Sequence, residues 1–417
     1  MDSQPRSHTM PRKKPRVFLR MTVHDQRLES SLRSWANAAA RRGLRIPDAH
    51  SRLLHELARD AHEMMDPRIW SQLPENLLVC VLVILPAKSL FRFRAVCKGW
   101  DALIFSNRFQ TTRSQVHIRE PYFEFINLIY CRSPQQLSSY NPVANKFRRM
   151  SLRFLPPCPN SPIASSGGLL CCSVPREFGS GFWMIVCNPM TESWRALPAR
   201  PMNERPLLVS IVAESRPPRY SVIMAGHYST EIFDSTTLSW RSAGRLPRDT
   251  KLHPQIAHCA GSLFCLTRDA WPMAILQFDL YSGVWRAVET GRLPGQWQCR
   301  TLVACKGSLF IVAKSSKNNR MTVCIWTLDQ ATRKWKEIAA MPPSMSERFF
   351  KKRSHFISST GHGNLIFLTR DNCEKGALYN IDRDAWKSVH RCQDLTFPHL
   401  SEFQPMLDVF EPSFATA

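Results

Sequence analysis

Leu73 to Ile104 reads LPENLLVCVLVILPAKSLFRFRAVCKGWDALI, and the character of the chain changes on either side of it. Pro74 and Pro86 bracket a run containing Leu77, Leu78, Val81, Leu82 and Leu85. Proline suits the first turn of a helix, where its missing N–H is not needed, and a second proline stops the helix near Leu85. Beyond it Leu90, Phe93, Cys97, Trp100 and Ile104 recur at steps of three and four, with Arg92, Arg94, Lys98 and Asp101 between them. That is helical period. The stretch predicts a small helical module. Val79, Val83 and Ile84 widen the first apolar face beyond one stripe, which points to a partner surface.

After about residue 115 the texture becomes short apolar runs separated by Pro, Gly and Asp, and the runs repeat. An aromatic recurs as Phe147, Trp194, Trp240, Trp285, Trp335 and Trp386, at intervals of 47, 46, 45, 50 and 51. Each is preceded by a turn: Asn141-Pro142, Asn188-Pro189, Asp234, Asp279, Asp329 and Asp382. Near copies lie upstream, Gly261-SLFCLTRD, Gly307-SLFIVAKS and Gly363-NLIFLTRD. Four short strands per unit of this length is the arithmetic of a propeller blade, and one twisted four-stranded sheet cannot bury both its faces alone. The fold class expected is a small all-α module followed by an all-β propeller of six blades. The recurring Trp should fill the wedges between blades; stacking on a ligand is the alternative. The first unit, Tyr122 to Met150, shows three strands, so the stretch around Pro405 to Phe410 is expected to return and complete it.

Outward in the other direction, residues 1–65 form a basic tail expected to be largely disordered, with 13 Lys/Arg against 7 Asp/Glu. Within it Pro11-Arg12-Lys13-Lys14-Pro15-Arg16 has the form of a nuclear address or a nucleic-acid patch. The expected divisions are therefore 1–65, the helical module at 66–112, and the propeller at 113–417. The chain of 417 residues carries a formal charge of +23, a property that bears on partners rather than fold. No apolar run reaches the 18 residues of a membrane span. The 14 cysteines show no paired zinc spacing, and without a secretory signal reduced thiols in the cytoplasm or nucleus are expected.

Leu73-Pro74 followed by Leu77-Leu78, Val81-Leu82, Leu85-Pro86, then Val96-Cys97-Lys98 and Trp100, resembles an F-box. That module docks substrate receptors onto the Skp1 adaptor of cullin–RING ubiquitin ligases. The chain departs from the usual pattern at Asn76, where an acidic residue is common, and at Ile84, where a polar one is. The repeat region resembles a kelch propeller, and 66–417 as a whole resembles plant F-box/kelch-repeat proteins of the leaf-curling-responsiveness type. The carrying pieces are Asp66-Pro67-Arg68-Ile69-Trp70, Phe91 to Cys97, Val323-Cys324-Ile325-Trp326 and Trp335-Lys336-Glu337. Typical kelch strands end in a double glycine; this chain has Thr267-Arg268, Ala313-Lys314 and Thr369-Arg370 there, and only 16 Gly in total.

The resemblance implies that Leu73, Pro74, Leu77, Leu78, Leu82, Leu85, Val96, Cys97 and Trp100 form the Skp1-facing and supporting core, with cullin reached through Skp1. No G-x-x-x-x-G-K-[ST], G-x-G-x-x-G, H-E-x-x-H or G-x-S-x-G pattern occurs. Catalytic residues, a metal and a cofactor are accordingly not expected, and a propeller oxidase would need a Tyr/His cluster that 7 scattered Tyr do not suggest. The expected role is a non-catalytic adaptor that brings a protein substrate to the ligase. A basic nucleic-acid- or chromatin-associated scaffold with a vestigial F-box is the alternative, separable by the salt slope of binding. Antiparallel order puts the long segments 173–180, 198–206, 245–253, 269–273, 291–299, 315–320, 341–353 and 372–376 on one rim of the propeller. They are net basic, and Lys251, Lys317, Arg320, Lys351, Lys352 and Arg353 are the expected contacts for an acidic or phosphorylated target segment. Loops that merely aid solubility are the plainer alternative.

Overall fold

The computed structural model of the chain describes residues 74–85, 87–94 and 96–115, most of 124–389, and 407–411. Gaps in the long stretch fall at 128–134, 157–160, 176–181, 200–205, 216–217, 248–249, 269–273, 291–293, 295–299, 318–319, 330, 351–356 and 371–375. The expected basic tail and Leu73 lie outside the described residues. Two compact units meet in sequence between Leu82 and Val83.

The helical stretch forms α1 (Glu75–Val83), α2 (Ala87–Arg94), α3 (Lys98–Phe105) and α4 (Asn107–Gln115). Pro74 opens α1 as expected: its carbonyl accepts the first bonds, from the Leu77 and Leu78 amides at 2.9 and 3.0 Å. The stripe from Leu90 to Ile104 is not one helix. Cys97 is extended, and its Sγ accepts the Trp100 amide at 3.4 Å, so it ends one helical run and caps the next. Ser106 repeats the device before α4, donating to the Leu103 carbonyl and accepting the Phe109 amide. The α4 helix runs past the expected boundary at 112.

The propeller is built from six antiparallel four-stranded sheets. Blade 1 holds β1 (Glu124–Asn127), β2 (Gln136–Asn141) and β3 (Lys146–Ser151). Blade 2 holds β4 (Ser161–Ser166), β5 (Leu169–Pro175), β6 (Phe182–Asn188) and β7 (Ser193–Ala196). Blade 3 holds β8 (Leu208–Ser215), β9 (Pro218–Ala225), β10 (Thr230–Asp234) and β11 (Ser239–Ala243). Blade 4 holds β12 (Lys251–Cys259), β13 (Ser262–Arg268), β14 (Ile275–Asp279) and β15 (Trp285–Val288). Blade 5 holds β16 (Arg300–Cys305), β17 (Ser308–Lys317), β18 (Arg320–Leu328) and β19 (Trp335–Ala340), followed by helix α5 (Pro343–Phe349). Blade 6 holds β20 (Ile357–His362), β21 (Leu365–Arg370), β22 (Gly376–Asn380) and β23 (Ala385–Val389). The returning strand is β24 (Leu407–Phe410), which pairs with β1 in the register Phe125↔Val409 and Ile126↔Asp408. Blade 1 is thereby completed as a four-stranded sheet by the far end of the chain.

All six recurring aromatics lie at the start of an outermost strand, and all six are set there by the same turn. The residue two positions before each one has positive φ: Asn145, Glu192, Leu238, Gly283, Arg333 and Asp384. Such a left-handed residue closes a hairpin after a type I turn. An Asn or Asp at the turn's head holds its backbone, as Asp234 accepts the Thr236 amide at 2.7 Å and Asp279 the Ser282 amide at 2.6 Å. Only blade 4 spends a glycine on this position, which explains how a glycine-poor chain still makes the repeat. Left-handed backbone costs a non-glycine residue about 1–2 kcal/mol.

The wedge role expected of the tryptophans holds for most. Trp240 donates its indole N–H to the Pro198 carbonyl of blade 2 at 3.1 Å, and Trp285 to the Thr230 hydroxyl of blade 3 at 2.9 Å. Trp335 and Trp386 pack on the apolar layers between blades 4 and 5 and between 5 and 6. Phe147 joins Tyr140, Phe367 and Leu378 where blade 1 meets blade 6. Trp194 departs: it is 43% exposed. Leu152 and Leu155, which follow β3, take the wedge between blades 1 and 2 against Leu170 and Ile185.

Candidate docking surfaces

The helical stretch separates its expected contact residues into two sets. Leu78 and Leu82 are buried within the chain, as are Val79 and Val83. Of the residues that broaden the first helix's apolar face, Val79 and Val83 are therefore spent inside the chain, while Ile84 is half-buried. Pro74, Val96 and Cys97 are exposed, while Leu77, Leu85 and Trp100 are half-buried. Val96 is 48% exposed, unusual for a branched aliphatic side chain.

Its position follows from the break between α2 and α3. The Val96 amide bonds the Phe93 carbonyl at 3.0 Å, a tight turn that thrusts the side chain outward just ahead of the Cys97 cap. The turn is clamped from both sides. The Phe93 ring meets the Trp100 ring edge-on at 5.3 Å. Arg94 bonds Asp101 at 2.6 Å and lies over the Phe105 ring at 4.4 Å. At the end of α1, the Arg113 guanidinium donates to the Val83 and Leu85 carbonyls at 3.0 and 2.9 Å. Those carbonyls are among the ones a helix end leaves without partners. Burial lowers the Arg113 pKa to about 10, so it remains charged.

The basic rim differs in detail from the loops the sequence suggested. Residues 315–320 are not a long loop. Strand β17 runs on to Lys317 and β18 begins at Arg320, the two residues paired opposite each other. Lys251 is likewise the first residue of β12, not part of a connecting segment. Residues 343–349 of the 341–353 segment form α5, with Pro343 in its first turn and Met345 and Phe349 buried in the blade 5–6 layer. Ser346 Oγ lies 3.0 Å from Thr322 Oγ, which fixes this helix to β18.

Those elements also bring carboxylates to the basic residues. Lys317 bonds Glu337, and hydrogen bonding to Glu337 raises its pKa. Arg320 pairs with Glu347 of α5 at 3.0 Å. Both members of the second pair are more than 60% exposed, so the pair is worth well under 1 kcal/mol and can be exchanged for another carboxylate. The sequence signal for Glu347 was the Pro-Pro pair opening its helix. Lys351, Lys352 and Arg353 lie outside the described residues.

Comparison with known proteins places these parts. The F-box domain model matches residues 70–111, and the model described as the KIB1-4 beta-propeller matches residues 139–393. The propeller is thus matched as the KIB1-4 type. F-box only protein 6 of Arabidopsis thaliana is 30% identical over 344 residues, covering 79% of this chain and 71% of that one. Protein UNUSUAL FLORAL ORGANS of Arabidopsis thaliana is 27% identical over 364 residues, 79% and 80% of the two chains. Protein ABERRANT PANICLE ORGANIZATION 1 of Oryza sativa subsp. japonica is 26% identical over 381 residues, 81% and 86%. The chain belongs to the KIB1-4 β-propeller family and carries an F-box ahead of its propeller.

Proposed function

We propose that the chain is the substrate-recognition adaptor of an SCF-type E3 ubiquitin ligase, docking a Skp1-like adaptor, and through it cullin, with its F-box while the propeller holds the protein to be ubiquitinated. The observation that carries the reading is Val96. An aliphatic side chain is held out at the α2–α3 turn, beside exposed Cys97 and half-buried Trp100, inside a matched F-box. The chain contributes proximity and orientation, and covalent chemistry belongs to other subunits. The finer assignment, to F-box/kelch-repeat receptors of the leaf-curling-responsiveness type, rests on the resemblance of 66–70 and 91–97. The basic cluster Pro11–Arg16 supports action in the nucleus, the cytoplasm or both. Lys251, Lys317, Arg320, Lys351, Lys352 and Arg353 are proposed to receive an acidic or phosphorylated target segment.

The test is co-purification with a Skp1-like adaptor. Val96→Asp should reduce recovery of the adaptor at least tenfold, the effect of losing one apolar anchor, with the thermal transition of the chain unchanged. Leu77→Ala should weaken recovery in the same direction. Full recovery by a folded Val96→Asp protein refutes the docking assignment.

A further inference from the structure

The six innermost strands, β24, β4, β8, β12, β16 and β20, enclose an axial channel with a cavity of about 220 Å³. Its charge is opposite to that of the chain. The protein carries 56 Lys and Arg against 33 Asp and Glu, yet the channel is lined by the carboxylates of Asp408 and Glu411 and, among the described residues, by no Lys or Arg. Three histidines, His253, His258 and His362, share the lining. Burial lowers the pKa of His258, so it is neutral at pH 7 and supplies no counter-charge.

Asp408 is held in place by backbone amides and by the Ser165 side chain. One carboxylate oxygen accepts the Ser165 amide of blade 2 at 2.8 Å, and the other accepts the Val409 amide at 2.8 Å. Burial raises its pKa to about 6 against the pull of the two amides and the Ser165 side chain, which leaves it ionised at pH 7. Among the described residues no Lys or Arg lines the channel beside this carboxylate, so a positive charge entering it would offset the cost of burying the anion. At the end of the channel, where β20 and β24 finish, Glu411 lies 3.3 Å from His362 Nδ1.

We propose that this channel is a binding site for a small organic cation, a guanidinium or primary ammonium group on a short alkyl chain, anchored on the Asp408 carboxylate with Glu411 at the channel end. The same chemistry is offered by a free small molecule and by an Arg or Lys side chain of a bound protein. The site is separate from the basic surface assigned to acidic segments and does not depend on that assignment.

The experiment is calorimetric titration of the full chain with butylguanidinium and with butylurea, which has nearly the same shape and no charge. Butylguanidinium should bind at least tenfold more tightly. Asp408→Asn should abolish that preference, and Glu411→Gln, a change at a half-exposed side chain, should weaken binding about threefold in a protein that folds normally. If Asp408→Asn fails to fold, the charged-against-neutral comparison in the unaltered chain and the Glu411→Gln result decide the matter. A capped Gly-Gly-Arg-Gly-Gly peptide separates the sources: binding on a par with butylguanidinium identifies a protein side chain as the occupant, and binding by butylguanidinium alone identifies a free small molecule. Equal binding of butylurea and butylguanidinium, or binding of neither, overturns the proposal, as does undiminished binding to a folded Asp408→Asn protein.

Discussion

Replacing Phe410 by alanine tests how the propeller is closed. Phe410 is 1% exposed and packs with Ile126, Leu137, Leu170 and Cys172, so a residue from the C-terminal end of the chain cements blade 1 to blade 2. Truncating a buried Phe to Ala costs about 3–5 kcal/mol, through lost apolar contact and the cavity left behind. That is a large share of the 5–15 kcal/mol that stabilises an ordinary domain. With a urea m-value near 3 kcal/mol/M, the unfolding midpoint should fall by roughly 1–1.7 M. The assay is urea denaturation followed by tryptophan fluorescence, with Tyr281→Ala as control. Tyr281 is 98% exposed, and its removal should change stability by less than about 0.5 kcal/mol. Deleting residues 400–417 goes further, because it removes β24 from one side of β1 and leaves a strand edge that invites aggregation. A Phe410→Ala midpoint indistinguishable from that of Tyr281→Ala, or a soluble truncated chain with unchanged unfolding, would refute closure by β24.

Leu238→Gly should stabilise the chain by up to about 1 kcal/mol in the same denaturation assay, since φ is +53° there and the side chain is exposed; a loss of stability would show that the turn is not strained. Gly361→Ala should destabilise severely. A Cβ there would sit 2.2 Å from Cys305 Sγ and 2.4 Å from Val303 Cγ1, both on the neighbouring β16, and a wild-type midpoint would mean that blades 5 and 6 are less closely packed. The Asp408 carboxyl has its folded pKa raised from 3.8 to about 6, so between those values the folded chain holds a proton that the unfolded chain releases. Its contribution to stability is full below about pH 4 and is lost as pH rises through 6; measured at pH 4 and pH 7, the stability of Asp408→Asn relative to the unaltered chain should therefore rise by at most about 3 kcal/mol. A flat or reversed difference would contradict the burial of that charge.

Much of this architecture is written along the chain. The 45–51-residue return of an aromatic behind an Asn or Asp turn is a local pattern, and local backbone chemistry suffices to make each hairpin. Six such units must close on one another because no single sheet can cover its own faces, so the fold class and the place of the closing strand followed from the sequence. The spacing of Leu77, Leu78, Leu82, Val96 and Trp100 similarly located the F-box. What the chain order could not reveal is which side of an apolar stripe faces inward. Val79 and Val83 look like partner surface by period, yet they are buried, and Val96 stands out because Cys97 breaks the helix beneath it. Trp194 has the same local setting as its five counterparts and is nevertheless exposed, while Leu152 and Leu155 pack in the wedge between blades 1 and 2. The charges show the same division. Composition gives +23, but the partners of Lys317 and Arg320 arrive on a neighbouring strand and on a helix, and the acidic channel exists only where six separate strands converge. Burial and electrostatics are sums over neighbours in space, and for those neighbours distance along the chain carries no information.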